Sequence, residues 1–306
     1  MSYKNLSIAV FGDYCLDEYL WVDASLNEPS LETGLVAYQC TKREVYSGAA
    51  GTIAKNLANL DVGTVYAVGY VGDDGRGVDL CGALDILNVN RENLLIAKGR
   101  LTPTYTKPWL MENGETRELS RIDTKNWTPT PEELEDAVLE KLRGLIGKID
   151  ALVIMDQMTE ENCGIVTERV REELAAIARA NPDLLVYADS RSRTALFKDM
   201  IIKGNQFEVP LSLCSGRDKP VIRTRGEDGV AVYYMGESIE IPGIKVSGQT
   251  DVCGAGDMFT ASFIAALSAG ASLKEAAKLG NTAAAICVTQ LGTSGHVTMA
   301  DIEKWG

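Results

Sequence analysis

The sequence contains a single histidine, His296, and few aromatic residues, which make up 7% of its 306 residues. One histidine near the end of the chain argues against chemistry with histidine as the general base, and it directs attention to carboxylates. No apolar run approaches the ~20 residues needed to span a bilayer. We therefore expect no membrane partner and a reaction carried by acidic side chains.

Metal-cluster spacings and the common phosphate-binding motifs are also missing. The seven cysteines form no Cys-x-x-Cys pair, which argues against a zinc cluster and fits reduced thiols in a cytoplasm. The first residues enter a strand pattern directly, without the layout of a signal peptide. No G-x-x-x-x-G-K-[ST] loop and no protein-kinase H-R-D or D-F-G set occurs. The net charge of −13 makes nucleic acid a poor partner. The sequence therefore predicts a cytoplasmic protein that binds neither nucleic acid nor membrane.

Short apolar runs alternate with helical patterns over most of the chain. This alternation predicts one α/β domain over residues 1–306, with a buried and mostly parallel sheet between two helical layers. The predicted strands are 6–11, 64–68, 151–155, 184–188 and 221–224. The predicted helices are 50–60, 75–87, 131–146, 161–180, 256–269 and 273–289. Ligands of such folds bind at the carboxyl ends of the strands.

Two segments interrupt this pattern, at residues 14–46 and 100–121. The second has a strand-turn-strand pattern around Asn113-Gly114, a strong hairpin signal. We expect both segments to form a small β lid over the sheet rather than decorated surface loops, because such long loops are usually functional. Exposed edges of a lid would suit pairing with a second copy, so we expect a homodimer through it.

The connection between Glu208 and Val221 is short for an alternating fold. It contains Pro210 and a Ser-Gly-Arg-Asp run, which leave little room for a covering helix. Either the protein lacks this helix, or residues are absent from the chain.

The sequence D-V-C-G-A-G-D at residues 251–257 is the most informative motif. Its small residues let successive N–H groups face one point at the start of an apolar helix, where the helix dipole favours an anion. Such an anion site beside Asp257 is what phosphoryl transfer to a hydroxyl requires. A plain helix start with tight packing explains the same residues, and the motif alone leaves both interpretations open.

Six segments in order across nearly the whole chain resemble the ribokinase (PfkB) family of carbohydrate kinases. The family's D-T-x-G-A-G-D signature is similar to residues 251–257, and its N-terminal glycine segment resembles residues 47–54. The family's opening strand with its substrate-binding acid resembles residues 12–17. Three later motifs of the family resemble residues 71–75, 205–208 and 224–229. G-D-Y-C-L-D-E-Y-L and L-S-R-I-D also resemble the heptose-phosphate kinase branch.

The resemblance implies a ribokinase-like three-layer α/β/α fold and a role for each matching residue. It implies Asp257 as the base, an anion hole from Gly254, Ala255 and Gly256, and a monovalent cation near Asp251. It implies Mg²⁺ on Glu208, ATP as co-substrate, and nucleotide contacts from Asn205, Thr224, Gly226, Gly229 and Asn281.

On the acceptor side, Asp17 follows the first strand, where its carboxylate could accept hydrogen bonds from sugar hydroxyls, and Gly48 would allow close backbone approach. Thr52 either retains one hydroxyl contact or packs at a helix start. Arg191 is a planar fork suited to phosphate. Val252, Ser47, Thr52 and Arg191 depart from the family pattern, and the last three of these departures concern the identity of the sugar.

We therefore predict an ATP-dependent kinase that phosphorylates a hydroxyl of a sugar or sugar phosphate. Two alternatives remain open at this point. A nucleoside kinase of the same fold would need an aromatic wall, for which Tyr38, Tyr46, Tyr105 and Trp109 are available. A catalytically silent sugar- or nucleotide-binding regulator is compatible with the departures, although it has no need of Asp257.

Overall fold

The computed structural model describes residues 2–290 and 295–305. Its strands are β1 (Ser7–Gly12), β2 (Tyr14–Asp23), β3 (Glu28–Pro29), β4 (Val36–Ala37), β5 (Cys40–Ala49), β6 (Thr64–Gly72), β7 (Asn90–Ala97), β8 (Thr104–Glu112), β9 (Glu115–Glu118), β10 (Ile122–Thr124), β11 (Ala151–Asp156), β12 (Leu185–Ser190), β13 (Ile201–Asn205), β14 (Val221–Thr224), β15 (Val230–Tyr234) and β16 (Glu237–Ile241). The helices are α1 (Ala50–Asn59), α2 (Gly75–Ile86), α3 (Glu132–Arg143), α4 (Glu168–Ala180), α5 (Ala255–Ser268), α6 (Leu273–Cys287) and α7 (Met299–Trp305).

A nine-stranded central sheet organises the chain, in the order β16-β15-β14-β13-β12-β11-β1-β6-β7. Neighbouring strands are parallel from β14 to β7, and only the β14–β15 and β15–β16 pairs are antiparallel. The carboxyl ends of the parallel strands therefore meet at one edge of the sheet, where ligands of such folds bind.

Helices cover both faces of the central sheet, as strand β1 illustrates. Ile8 and Val10 belong to one hydrophobic core with α1, α5 and α6, while Ala9 and Phe11 belong to a second core with α3 and α4. All four side chains are completely buried. Both faces are apolar because both are covered. The predicted three-layer α/β/α architecture is confirmed.

A second sheet lies in the order β10-β8-β2-β5, with β9 paired to β8, and we name it the lid sheet. It is docked on α2 through the buried Glu18, which pairs with Arg76 of α2 at 3.5 Å. The same carboxylate accepts hydrogen bonds from Arg43 Nε and Thr106 Oγ1 of the lid sheet, each at 2.7 Å. Arg43 also pairs with Asp79 of α2 at 2.5 Å. A buried acid with paired donors holds the sheet in one orientation. Both segments predicted as β-structure thus contribute strands to one sheet.

The helix predicted from residue 161 begins seven residues later, at Glu168. The reason is the preceding loop, which is held by the buried carboxylate of Asp13: it accepts the backbone N–H groups of Gln157, Met158 and Ile165 at 2.8 to 3.0 Å. Thr167 then caps the helix by accepting the N–H of Val170. A loop bound in this way cannot adopt helical geometry.

The connection from β13 to β14 contains no α-helix. Its regular structure is one 3₁₀ turn at Leu211–Cys214, and Ile202 of β13 pairs directly with Val221 of β14. Every residue of the connection lies within the described part of the chain, so the covering helix is absent here. None of the helices in residues 2–290 and 295–305 has the length and apolarity that a membrane crossing requires.

Candidate active site

The turn before α5 presents backbone N–H groups at a helix start. Gly254 is the N-cap, with φ of 76°, a left-handed conformation that suits glycine. Within the described residues, the N–H groups of Gly254, Gly256 and Asp257 donate no hydrogen bond, whereas that of Ala255 donates to the Val252 carbonyl at 3.3 Å. Unsatisfied N–H donors at a helix N-terminus suit an anionic ligand, so this turn is the candidate anion-binding site.

Asp251 orders this turn from its other end. Its Oδ1 accepts the N–H of Cys253 at 2.9 Å, and its own N–H donates to the carbonyl of Val288 at 2.8 Å. The turn is therefore joined to the end of α6, which stabilises the N–H groups in one arrangement.

Asp257 lies in the first turn of α5, half-buried, and its carboxylate makes no hydrogen bond within the described residues. Burial, and then the charge of Asp189, raise its pKa to about 6, while Lys203 and Arg191 oppose this rise. Asp257 is therefore ionised at neutral pH with a proton affinity well above that of an ordinary aspartate. This combination is what a general base requires.

Lys203 was not predicted from the sequence, yet it lies directly beneath this turn. Its buried ammonium is 2.7 Å from Asp189 Oδ2, and a Cβ on Gly256 would lie 3.0 Å from it. Its position inside the apolar run of β13 could have indicated a buried ion pair, because lysines are almost never buried unless they are paired.

Asn205 and Glu208 form a closed turn at the end of β13. The side-chain Oδ1 of Asn205 accepts the N–H groups of Phe207 and Glu208 at 2.8 and 3.1 Å, and Glu208 Oε2 accepts the N–H of Asn205 at 2.7 Å. Within the described residues, the second carboxylate oxygen of Glu208 and the amide nitrogen of Asn205 make no hydrogen bond. Both groups are thus available to ligands.

The carboxylate of Glu208 fits a magnesium ion that keeps much of its water. In the described part of the chain, no group of three or more His, Cys, Asp or Glu side chains could enclose a metal. Mg²⁺ in phosphoryl-transfer sites is bound by one or two carboxylates, waters and substrate phosphates. The single free oxygen of Glu208 matches that requirement.

The predicted nucleotide turn follows β14. Thr224 ends this strand, and Gly226 and Gly229 have φ of 59° and 89°. A side chain on Gly229 would collide with the carbonyl oxygen of Ile241. The turn therefore requires glycine at this position both for its backbone conformation and for close backbone approach.

Asn281 is placed beside the same loop by α6. Its amide nitrogen donates to the Pro242 carbonyl at 3.0 Å, and a side chain on the next residue, Gly243, would collide with the carbonyl of Glu227. The predicted turn at residues 224–229 and Asn281 thus both approach one loop, residues 241–243, on the antiparallel side of the sheet.

Asp17 and Gly48 lie together on paired strands, as expected for an acceptor pocket. A Cβ on Gly48 would lie 2.8 Å from Asp17 Oδ2. The sequence did not predict Lys107 of β8, whose Nζ lies 2.8 Å from Asp17 Oδ1 and 3.2 Å from the Tyr19 hydroxyl. Burial opposes the charge of Lys107, but Asp17 and Tyr19 outweigh this effect and raise its pKa. The pocket therefore contains a cation next to the predicted sugar-binding acid.

Thr52 lies in the first turn of α1. Its side chain is buried, and its hydroxyl donates to the Ser47 carbonyl at 3.0 Å. This contact fits the packing role at the helix start, and the alternative contact with the acceptor stays a prediction.

Arg191 is exposed at the end of β12 on the same side as Asp257. Its Nε donates to Gln157 at 3.2 Å, and its positive charge lowers the pKa of Asp257. No carboxylate pairs with it among the described residues, whereas Arg121 is held in a bidentate pair with Asp123 at 2.6 and 2.8 Å. Arg191 is thus a guanidinium available to an anionic ligand.

Comparison with known proteins shows which proteins this chain is similar to. Residues 209–299 match the model of the pfkB family carbohydrate kinases. The chain is 29% identical over 312 residues to the bifunctional protein HldE of Desulfatibacillum aliphaticivorans, covering 95% of this chain and 61% of that protein. The chain thus spans about three-fifths of the length of this curated relative.

Solved structures show the same fold. Ribokinase of Arabidopsis thaliana, complexed with ribose and ATP, superposes with a TM-score of 0.72 at 18% identity, covering 100% of this chain and 99% of that one. An E. coli protein named as a ribokinase II, in complex with ATP and Mg²⁺, gives 0.70 at 17% identity and 98% coverage of both chains. The family match over residues 209–299, the relative that aligns with 95% of this chain and the ribokinase-like fold together confirm the predicted resemblance to the PfkB family of carbohydrate kinases.

Proposed function

We propose that the chain is an ATP-dependent phosphotransferase that phosphorylates a hydroxyl of a sugar or sugar phosphate. One observation carries the proposal: Asp257, with a pKa of about 6, stands in the same helical turn as three N–H groups that have no acceptor in the described chain. An anion site and a proton acceptor within one turn suit phosphoryl transfer to a hydroxyl.

In this proposal Asp257 accepts the proton of the acceptor hydroxyl as its oxygen attacks the γ-phosphorus of ATP. A new P–O bond forms, the bond to the β-phosphate breaks, and ADP leaves. The N–H groups of Gly254, Gly256 and Asp257, with Ala255 shaping the turn, stabilise the charge on the transferred group. Mg²⁺, when bound through water at Glu208, would neutralise charge on the nucleotide phosphates.

Binding in the proposal divides between the two sides of the cleft. On the nucleotide side Asn205, Thr224, Gly226, Gly229 and Asn281 hold ATP, and on the acceptor side Asp17 and Gly48 orient the sugar. The lid sheet closes over both ligands and excludes water, which would otherwise accept the phosphoryl group.

We propose that the acceptor already carries a phosphate. Arg191 and Lys107 support this choice, because they place two cations around a sugar-binding acid in a chain of net charge −13. The sequence resemblance to heptose-phosphate kinases points to the same acceptor class. A neutral sugar would leave the guanidinium of Arg191 without a counterion.

The substitution Asp257→Asn tests the reaction. We expect kcat to fall at least ~100-fold with little change in nucleotide affinity, because the base is lost while the anion site stays. The measurement is ADP release with a panel of sugars, sugar phosphates and nucleosides. Asp183→Asn, at an exposed aspartate away from the motif, is the control for the charge change. Near-normal turnover of Asp257→Asn would overturn the assignment of the base.

The same panel decides between the alternatives. For a nucleoside kinase, Tyr46, Tyr105 and Trp109 lie on strands of the lid sheet, whereas Tyr38 lies outside them and is exposed. Turnover with nucleosides alone would establish that function. Ligand-induced shifts in Tm without turnover of any acceptor would instead indicate a silent regulator.

We further propose a cytoplasmic site of action, a homodimer formed through the lid sheet and a monovalent cation near Asp251. Within the described residues the seven cysteines form no disulfide, which suits a reducing compartment. Activity with potassium or sodium as the only monovalent cation, and mass measurement in solution, test the last two points.

A further inference from the structure

We propose that the buried ion pair of Lys203 and Asp189 is a positioning pair, which fixes the first turn of α5 and sets the charge state of Asp257. This inference rests on the proposed role of Asp257 as base. It concerns residues on β13 and β12, neither of which belongs to the motif at residues 251–257.

The pair lies beneath the turn that bears the base. Nζ of Lys203 is 2.7 Å from Asp189 Oδ2, and the two side chains are only 7% and 9% exposed. Since a Cβ on Gly256 would lie 3.0 Å from Nζ, the ammonium contacts the backbone of the anion-binding turn. A positive charge at this depth reinforces the anion site from the interior side.

Thr260 links the pair to α5. Its hydroxyl donates to Asp189 Oδ2 at 3.2 Å and lies 3.2 Å from the buried hydroxyl of Tyr187. Thr260 follows Asp257 by three residues, so the two side chains lie on the same face of the helix. The contact of Thr260 with Asp189 therefore fixes the rotation of α5 that points Asp257 at the cleft.

The two members of the pair act in opposite directions on Asp257. Burial and the charge of Asp189 raise its pKa, and the charges of Lys203 and Arg191 lower it. Further titratable groups face Asp257 from other elements: Asp17 of β2, Lys55 of α1, Tyr187 of β12, Cys253 of the turn and Cys287 of α6. Lys203 and Asp189 form a buried ion pair with each other beneath the turn.

Lys203 is itself held in its charged form. Burial opposes this charge, but Asp189, Asp257 and Glu208 outweigh it and raise the pKa of Lys203. The ammonium of Lys203 thus lies among three carboxylates: its partner Asp189, the proposed base Asp257 and the proposed magnesium ligand Glu208. It compensates the negative charge that would otherwise prevent Asp257 from ionising near neutral pH.

Three variants test the inference: Lys203→Met, Asp189→Asn and the double variant. In Lys203→Met, the apparent pKa of the acid limb of the kcat/KM profile should rise by ~1 unit, because Asp257 loses a nearby positive charge. In Asp189→Asn it should fall by ~1 unit, because Asp257 loses a nearby negative charge. The double variant should return close to the wild-type limb. Lys198→Met, an exposed lysine five residues earlier, should leave it unchanged.

A second readout does not depend on catalysis. The Asp257 carboxyl carbon of the ligand-free protein is titrated by ¹³C NMR in each variant, and its pKa should move in the same directions. If Lys203→Met does not fold, Asp189→Asn and the double variant still give the comparison, because asparagine keeps the shape of aspartate.

If the pKa of Asp257 were the same in wild type, Asp189→Asn and the double variant, the inference would be overturned. Absence of turnover by the wild type with every acceptor would overturn the proposed function, while the NMR titration would still decide whether the pair controls Asp257.

Discussion

The carboxyl group of Asp257 lies where the protein opposes its ionisation. Its pKa of about 6 exceeds the ordinary aspartate value, so the folded state holds the proton more tightly than the unfolded chain does. The stability that this group contributes is present at pH below about 4 and is lost as pH rises through 6. The raised pKa that suits Asp257 to the proposed role of base therefore lowers the stability of the folded protein at neutral pH.

Asp257→Asn should consequently stabilise the protein while it abolishes the proposed activity. We expect a gain on the order of 1 to 2 kcal/mol at pH 8 that shrinks toward zero as pH falls to 4, because asparagine carries no charge to desolvate. Urea unfolding at several pH values measures the gain. The exposed Asp183→Asn is the control. Equal stabilisation at all pH values would contradict this account.

Single residues also show what the sequence could and could not predict. Asp257, Glu208, Asp17 and Gly48 lie at strand ends, helix starts or paired strands where local motifs place them. The hydroxyl of Thr52 is engaged by a backbone carbonyl, which no motif reveals. Lys107 and Lys203 meet their acids across paired strands, at separations along the chain that sequence patterns do not encode.

Among the secondary-structure elements, turns were most predictable from the sequence where the backbone conformation requires particular residues. Asn113 and Gly114 both have positive φ, of 52° and 81°, and join β8 to β9 as the Asn-Gly signal predicted. The start of α4 was mispredicted because a distant carboxylate, Asp13, determines it. Elements set by local chemistry were thus predictable, and elements set by tertiary contacts were not.

The turn at Gly229 gives a prediction at this scale. Gly229→Ala should raise KM for ATP several-fold and destabilise the protein by about 1 kcal/mol or more, because a Cβ meets the Ile241 carbonyl and φ is positive. Gly236→Ala is the matched control: its φ of 79° carries similar strain, but no atom lies within 4 Å of an added Cβ. ATP kinetics and thermal melts measure both variants.

If the two glycine variants lost the same stability and kept the same KM, close backbone approach at Gly229 would have no part in nucleotide binding. A larger loss at Gly229 isolates the contribution of that approach, since the backbone strain is common to both.

The whole molecule places two sheets around one cleft. In the proposed function, the chemistry takes place at the carboxyl edge of the central sheet, and the lid sheet supplies Asp17 and Lys107 to the same cleft. A net charge of −13 repels anionic ligands at long range, so the cations of the cleft provide local attraction. The size and layering of this arrangement followed from the alternating pattern, but the docking of the lid sheet through Glu18 did not.

Closure of the lid sheet should be visible in tryptophan fluorescence. Trp21 and Trp109 stack in this sheet with ring centroids 5.9 Å apart, whereas Trp127 is 73% exposed. Binding of an acceptor sugar phosphate with a non-hydrolysable ATP analogue should shift the emission to shorter wavelength, because closure removes water from the pair. Trp127→Phe should keep the shift and Trp109→Phe should lose most of it. The reverse pattern would exclude closure by this sheet.

The helix-free connection between β13 and β14 also bears on how the chain folds. Ile202 pairs with Val221 across a short loop, while Ile8 of β1 must find Ala151 of β11. Closing a short loop costs less entropy, and local pairings form sooner than distant ones. The strands next to the proposed magnesium acid and the proposed nucleotide turn can therefore assemble as a local unit, onto which the first strand and the proposed acceptor side are added later.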